Sequence, residues 1–186
     1  MRSNLEKYVI NREDALLLVI DIQEKLMPSM KFGDQIIEKT NILTQVANRL
    51  DMPVLATQQY TKGLGPTVEK VTQCFEQVPV YEKMTFTGCT DELLTDLKKH
   101  GKTKIIVTGM ETHVCVYQTV RGLIMEGYQV FVVSDGVCSR KKEDYINGLN
   151  LMREMGAVII NTESVFFDLM KEAGTPEFKE LSPLIK

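Results

Sequence analysis

The chain has 186 residues, of which 44% are hydrophobic and 25% charged, and its formal net charge is −3. We therefore expect a single folded domain over residues 1–186. The Lys and Arg residues are scattered along the chain, so the sequence shows no sign of the basic face that a nucleic-acid-binding protein needs. No apolar run approaches the ~18 residues of a membrane span, and the first residues lack the apolar core of a secretory signal.

Along the chain, short runs typical of β-strands alternate with longer segments of helical periodicity. Six strands are predicted, at 15–20, 54–57, 78–81, 104–108, 129–133 and 157–160. The longer helices are predicted at 33–50, 91–100, 112–126 and 142–155, and short helices follow the sixth strand. This alternation predicts an α/β fold, a six-stranded parallel sheet that is doubly wound, with right-handed crossovers and helices on both faces.

Three reactive side chains are predicted to meet at one edge of this sheet. Asp21 ends the first strand, Lys83 follows the third strand by two residues, and Cys115 lies in the first turn of the helix after the fourth strand. Sheets of this class bind ligands beyond the carboxyl ends of their strands, so these positions favour a functional site. Each residue alone also has a structural interpretation: a strand-end cap, a solvated lysine and a packed thiol.

The cysteines fall into two groups. A helix N-terminus stabilises a thiolate through its N–H groups and its dipole, and this setting is predicted for Cys115. Cys74, Cys89 and Cys138 have no such setting and are interpreted as structural. Because the chain contains no C-x-x-C pair, all four are expected to be reduced thiols of a cytoplasmic protein.

Five segments taken together carry a family resemblance. They lie at 17–25, 57–68, 81–83, 108–115 and 176–180. In this ordered set the chain resembles the isochorismatase-like cysteine hydrolases, and within them the isochorismatase domain-containing proteins of unassigned substrate. Each segment alone is a weak motif, whereas the ordered set covers nearly the whole chain.

The resemblance implies the strand order 3-2-1-4-5-6 and a catalytic triad of Asp21, Lys83 and Cys115. It implies a cis peptide bond between Met110 and Glu111, and an oxyanion hole made by the backbone N–H groups of Glu111 and Cys115. It also implies hydrolysis of a small molecule, at an amide or related acyl bond, through a thioester and without a cofactor. Members of the family usually form dimers or larger assemblies, so a homo-oligomer is expected.

The chemistry of the three groups agrees with this mechanism. A free thiol is mostly protonated at neutral pH, so a nucleophilic cysteine needs a base or a stabilised thiolate. Asp21 can accept the proton, and Lys83 can hold Asp21 in place. His113 is an alternative base, but residues two apart on a helix do not face each other, which disfavours it.

Two departures from relatives narrow the activity. Nicotinamidase members hold a metal with an aspartate and two histidines after the second strand, where this chain reads Gln58-Gln59-Tyr60. We therefore expect neither a metal site nor nicotinamide hydrolysis. The name-giving isochorismatases cleave a vinyl ether and lack the cysteine, so Cys115 favours acyl chemistry.

The substrate remains open at this level. Gln23, Tyr60 and Phe86 flank the strand ends and are predicted to line the substrate pocket, although simple packing explains Tyr60 and Phe86 equally well. A catalytically idle oligomeric interaction protein is one alternative function, against which the complete triad argues. Nuclease activity is another, which the acidic balance and the lack of metal ligands or a histidine pair disfavour.

Overall fold

The computed structural model describes residues 5–186, so the prediction about a secretory signal falls partly outside the described residues. Within this range the strands are β1 (Ala15–Ile20), β2 (Val54–Gln59), β3 (Val80–Lys83), β4 (Lys104–Met110), β5 (Gln129–Cys138) and β6 (Val158–Ile160). The α-helices are α1 (Gly33–Arg49), α2 (Thr61–Leu64), α3 (Glu69–Thr72), α4 (Asp91–His100), α5 (Tyr117–Met125), α6 (Lys142–Glu154), α7 (Thr162–Met170) and α8 (Pro176–Leu181). Short 3₁₀ turns lie at Glu6–Tyr8, Met27–Ser29 and Ser182–Ile185, and a π-helical turn lies at Thr112–Val116.

All strands form one parallel sheet in the order β3-β2-β1-β4-β5-β6, which confirms the predicted doubly wound arrangement. β1 lies at its centre and is buried along its whole length, as expected of a strand covered on both faces. The strand order reverses between β1 and β4. In folds of this kind the crevice beyond that point is where ligands bind.

Helices cover both faces of the sheet, and alternate side chains of β1 point to opposite layers. Leu17 and Val19 pack with apolar residues of α1, α7 and α8. Leu16 and Leu18 pack with those of α4, α5 and α6. Among residues 5–186, no helix combines the length and the apolar run that crossing a membrane requires.

The third strand begins two residues later than predicted. Pro79 has no N–H for the ladder, but its carbonyl accepts a hydrogen bond from the Ala56 N–H, and strand pairing starts at Val80. Lys83 is therefore the last residue of β3, opposite Gln59 of β2, and the prediction that it lies two residues beyond the strand was wrong.

The backbones of β1 and β4 approach each other closely at the carboxyl edge of the sheet. Gly109 of β4 lies opposite Ile20 of β1 and has a φ of +126°. A Cβ at Gly109 would overlap the Ile20 carbonyl oxygen, so only glycine allows the two backbones to approach this closely. The predicted helix over 112–126 is divided, because the π-helical turn of Thr112–Val116 precedes α5.

Candidate active site

Asp21 is held at the carboxyl end of β1 by its neighbour in β2. Its φ is 49°, in the left-handed region that residues other than glycine rarely adopt. The Asp21 N–H donates to the Thr57 carbonyl at 3.1 Å, and the Thr57 hydroxyl donates to Asp21 Oδ1 at 2.8 Å. Thr57 therefore fixes both the backbone and the carboxylate of a fully buried acid.

Lys83 forms a buried ion pair with Asp21. The Lys83 Nζ lies 2.6 Å from Asp21 Oδ2, and both side chains have no exposed surface. The same ammonium donates to Gln59 Oε1 at 2.7 Å and to the carbonyls of Thr85 and Phe86 at 3.3 Å each. Apart from this contact with the ammonium, Oδ2 accepts no hydrogen bond from any residue in 5–186. One carboxylate oxygen is thus left as a buried acceptor.

The Cys115 thiol lies against this ion pair. Burial is the main cause that raises the pKa of Cys115 to about 12; the Asp21 charge raises it further, and the Lys83 charge opposes the rise. The Asp21 and Lys83 side chains both lie within hydrogen-bonding contact of the Cys115 thiol. The sequence left two ways of activating this thiol open, a thiolate stabilised by a helix N-terminus and proton transfer to Asp21. In the structure, burial and the Asp21 charge both favour the protonated thiol.

A threonine connects the Cys115 segment to the loop after β3. Thr119 Oγ1 donates to the Cys115 carbonyl at 2.6 Å and accepts from the Gly88 N–H at 2.7 Å, and Thr119 is fully buried. The same loop contributes the Thr85 and Phe86 carbonyls that bind Lys83. The segments that position the thiol and the ammonium are therefore braced against each other.

Two glutamines hold the loops around the ion pair. Gln59 binds Lys83 and also donates to the Met84 carbonyl at 2.9 Å. Gln23 Oε1 accepts from the Gln59 N–H at 2.7 Å, and Gln23 Nε2 donates to the carbonyls of Gln59 and Gly65. Because Gln23 is fully buried and its amide is fully used, the predicted substrate contact is replaced by a bracing role. Gln59 could not be predicted from the sequence as part of this site, because its position opposite Lys83 depends on the register of β3.

Tyr60 and Phe86 lie on the exposed side of these loops. Tyr60 follows β2 with a φ of 37° and is 44% exposed; its ring lies over Gly63, where a Cβ would collide with it. Phe86 is 56% exposed, while its carbonyl binds the buried Lys83. Both residues therefore have exposed rings and backbone hydrogen bonds to Lys83, and contact of the rings with substrate stays a prediction.

Glu111 follows a cis peptide bond from Met110, at the position that the resemblance implied. Its carbonyl accepts from the Val114 and Val116 N–H groups at 3.0 and 3.2 Å. Its carboxylate accepts from the N–H and the Nε of Arg140 at 3.1 and 3.0 Å. The Glu111 N–H itself donates to no residue in 5–186, which leaves a backbone donor four residues before Cys115.

His113 belongs to a different cluster. Its Nδ1 lies 3.0 Å from Ser139 Oγ, and its Nε2 lies 3.8 Å from the Asp144 carboxylate. Neither partner contacts the Asp21–Lys83 pair, so His113 is not positioned as a base for Cys115. Over residues 5–186, no three His, Cys, Asp or Glu side chains are placed to share a metal ion.

The buried thiols predict a loss of stability in alkaline solution. Burial raises the pKa of Cys115 and Cys138 from 9.0 to about 12. Above pH 9 the unfolded chain loses these protons and the folded chain keeps them. The free energy of unfolding should then fall by about 1.4 kcal/mol per pH unit for each thiol, until the pH reaches the folded-state pKa.

Urea unfolding of the native protein and of Cys138→Ala, in reductant between about pH 8 and 10, measures this slope. The variant should show a shallower fall than the native protein, and equal slopes in the two proteins would contradict the assignment.

Comparisons with known proteins give consistent matches. The isochorismatase domain model matches residues 15–164. Isochorismatase family protein 1A of Dictyostelium discoideum is 38% identical over 176 residues, covering 91% of this chain and 85% of that protein. Isochorismatase domain-containing protein 2 of Xenopus laevis is 33% identical over 177 residues, covering 95% and 85%. The solved structure of MAR1 ribonuclease from Caenorhabditis elegans superposes with a TM-score of 0.91 at 35% identity, covering 95% of this chain and 92% of that one.

Proposed function

This chain belongs to the isochorismatase-like hydrolase family, and we propose that it is a cysteine hydrolase that cleaves an amide or related acyl bond of a small molecule. The observation that carries the proposal is the Cys115 thiol lying against a buried Asp21–Lys83 ion pair. A thiol needs a base to become a nucleophile at neutral pH, and Asp21 Oδ2 is an acceptor without a hydrogen bond from residues 5–186.

In the first half-reaction, Asp21 accepts the Cys115 proton as the sulfur attacks the acyl carbon. The negative charge that develops on the substrate oxygen is stabilised by the N–H groups of Glu111 and Cys115. Collapse of the tetrahedral intermediate breaks the bond to the leaving amine, which takes the proton from Asp21. The products of this half-reaction are the free amine and a thioester on Cys115.

In the second half-reaction, Asp21 removes a proton from water, whose oxygen attacks the thioester carbon. Collapse releases the carboxylic acid, and the sulfur recovers a proton from Asp21. Throughout, Lys83 remains an ammonium ion that orients the carboxylate, and Gln59 and the loop carbonyls keep it in place. Tyr60 and Phe86 are the proposed pocket walls.

The burial of the three side chains favours a small substrate. Asp21, Lys83 and Cys115 are 0%, 2% and 7% exposed. A polymer strand has little exposed surface of these three side chains to contact. The net charge of −3 also gives no general attraction for a polyanion.

Ribonuclease activity is the second candidate, because the structure of a protein named as a ribonuclease is 35% identical to this chain. An idle interaction protein is less well supported, since burying an ion pair carries a desolvation cost and packing alone does not require a thiol beside it. As further proposals, the protein is a cytoplasmic homo-oligomer of single-domain chains, without a cofactor, nucleic-acid partner or membrane attachment. Exposed apolar side chains such as Met125, which is 81% exposed, support assembly.

A two-arm assay separates the candidates. In one arm, ammonia release is measured from a set of small primary amides and ureides; in the other, cleavage of a labelled single-stranded RNA is followed on a gel. We expect ammonia release from at least one amide or ureide and an intact RNA. RNA cleavage that Cys115→Ala abolishes, with every amide and ureide left intact, would replace the proposed function by the second candidate.

A further inference from the structure

A cavity of about 490 Å³ lies away from the three candidate catalytic residues. It opens where β5 continues past the end of β6, since β6 pairs only with residues up to Val133. Its walls come from the start of α1, the end of β5 and the first turn of α6, and include none of Asp21, Lys83 or Cys115. Its volume falls within the range of about 300–1,000 Å³ that small-molecule sites occupy.

The charges around this cavity favour an anion. Lys31, Arg140 and Lys142 line it, together with a single carboxylate, Asp135. A second carboxylate, Glu111, contacts Arg140. The charge of Asp144 also acts on Arg140, so the nearby carboxylates equal the three cations in number, and an anion is favoured by those cations that have no carboxylate partner.

The two carboxylates are already occupied, whereas two of the cations are free. Glu111 accepts from Arg140, and Asp135 Oδ1 accepts from the N–H and the hydroxyl of Thr162 at 2.8 and 3.0 Å. Lys31 and Lys142 have no carboxylate partner within residues 5–186, and the Lys31 ammonium lies over one face of the Phe32 ring, 5.6 Å from its centroid. These two ammonium groups are therefore available to bind a ligand's negative charge.

The rest of the lining is apolar. Val137 and Cys138 are each 2% exposed, and Phe32 keeps half of its ring surface open beside them. The Tyr145 hydroxyl donates to the Ser134 carbonyl at 2.9 Å, so this ring also presents mainly its face. Cations beside an apolar wall suit a molecule that has a charged end and an apolar body.

We propose that this cavity binds an organic monocarboxylate with an aromatic or aliphatic body. The carboxylate lies between Lys31, Lys142 and the outer nitrogens of Arg140, and the body packs on Phe32, Val137 and Tyr145. This site goes beyond the proposed hydrolase activity and does not depend on it.

Titration calorimetry with sodium benzoate and sodium hexanoate tests the proposal, and benzamide serves as a neutral probe of the same shape as benzoate. At least one carboxylate should bind in a one-to-one ratio, and benzamide should bind at least about tenfold more weakly, as expected for losing a hydrogen bond to a charged group. Added salt should weaken binding, because the lysines are exposed and screened. Failure of both carboxylates to bind, or equal binding of benzamide, would overturn the proposal.

Variants locate the binding. The double variant Lys31→Gln/Lys142→Gln should weaken carboxylate binding at least about tenfold, whereas Lys98→Gln/Lys99→Gln on α4 makes the same charge change and should leave it unaltered. Cys115→Ala should bind as the native protein does. Binding that Cys115→Ala removes would assign the carboxylate to the candidate active site and overturn a separate site, while a failed hydrolase assay would leave this result unaffected.

Discussion

Cys115→Ala is expected to lower the turnover of any amide or ureide that the native protein hydrolyses by about 10⁴-fold or more, because the variant has no atom that can form the thioester. The fold should survive, since a methyl group replaces a thiol that donates no hydrogen bond needed by the braces around it. Steady-state kinetics and thermal unfolding of the same preparation measure both effects.

The matched control for this variant is Cys74→Ala, which removes a free thiol outside the site. It should keep native turnover. A Cys115→Ala protein that is folded and retains most of the native activity would remove the nucleophile from the proposal, and with it the thioester.

Lys83→Met is expected to destabilise the protein by about 3–5 kcal/mol, because it leaves the fully buried Asp21 carboxylate without its counter-ion. It also releases Gln59 and the carbonyls of Thr85 and Phe86 from the ammonium they bind. Turnover should fall as well, since the carboxylate is no longer oriented toward the thiol. Urea unfolding at neutral pH gives the free energy directly.

A second substitution separates the charge effect from a packing effect. Asp21→Asn added to Lys83→Met removes the unpaired charge, so the double variant should be more stable than Lys83→Met alone, and the two effects should be far from additive. If the two losses of unfolding free energy are additive, Asp21 and Lys83 do not stabilise the protein as a pair. Methionine at position 83 would then destabilise the protein for steric reasons.

Hydrophobic periodicity and strand-to-helix alternation are local properties of the chain, and they were enough to predict a parallel sheet with Asp21, Lys83 and Cys115 along its carboxyl edge. The strand order 3-2-1-4-5-6 also needed the family resemblance, and with it the adjacency of the strands that carry Asp21 and Cys115. The resemblance likewise supplied the interpretation of the three residues as a triad.

The parts that the sequence did not predict depend on register and burial. The two-residue shift of β3 follows from Pro79, whose carbonyl takes part in the ladder although its nitrogen cannot. That shift places Lys83 opposite Gln59, so the role of Gln59 could not be seen before the register was known. Gln23 was predicted to contact substrate because it follows β1, but its amide is consumed by loop carbonyls.

The protonation state of the Cys115 thiol could not be predicted from the sequence either. The helix N-terminus favoured a thiolate, whereas the structure buries Cys115 next to the Asp21 carboxylate. Both effects favour the protonated form. In the proposed mechanism, the Cys115 proton therefore moves to Asp21 during the attack.

The rate at which iodoacetamide alkylates Cys115 in the native protein and in Asp21→Asn tests this claim most directly. If the Asp21 charge only raises the thiol pKa, removing it stabilises the thiolate, and alkylation becomes faster. If Asp21 accepts the proton, its loss makes alkylation slower, by about tenfold or more, toward the range of 10²–10⁴ for a general base. Peptide mapping at neutral pH reports Cys74 in the same sample as an internal control whose rate should not change. We predict slower alkylation of Cys115 in Asp21→Asn, and an unchanged or faster rate would contradict the role of Asp21 as the base.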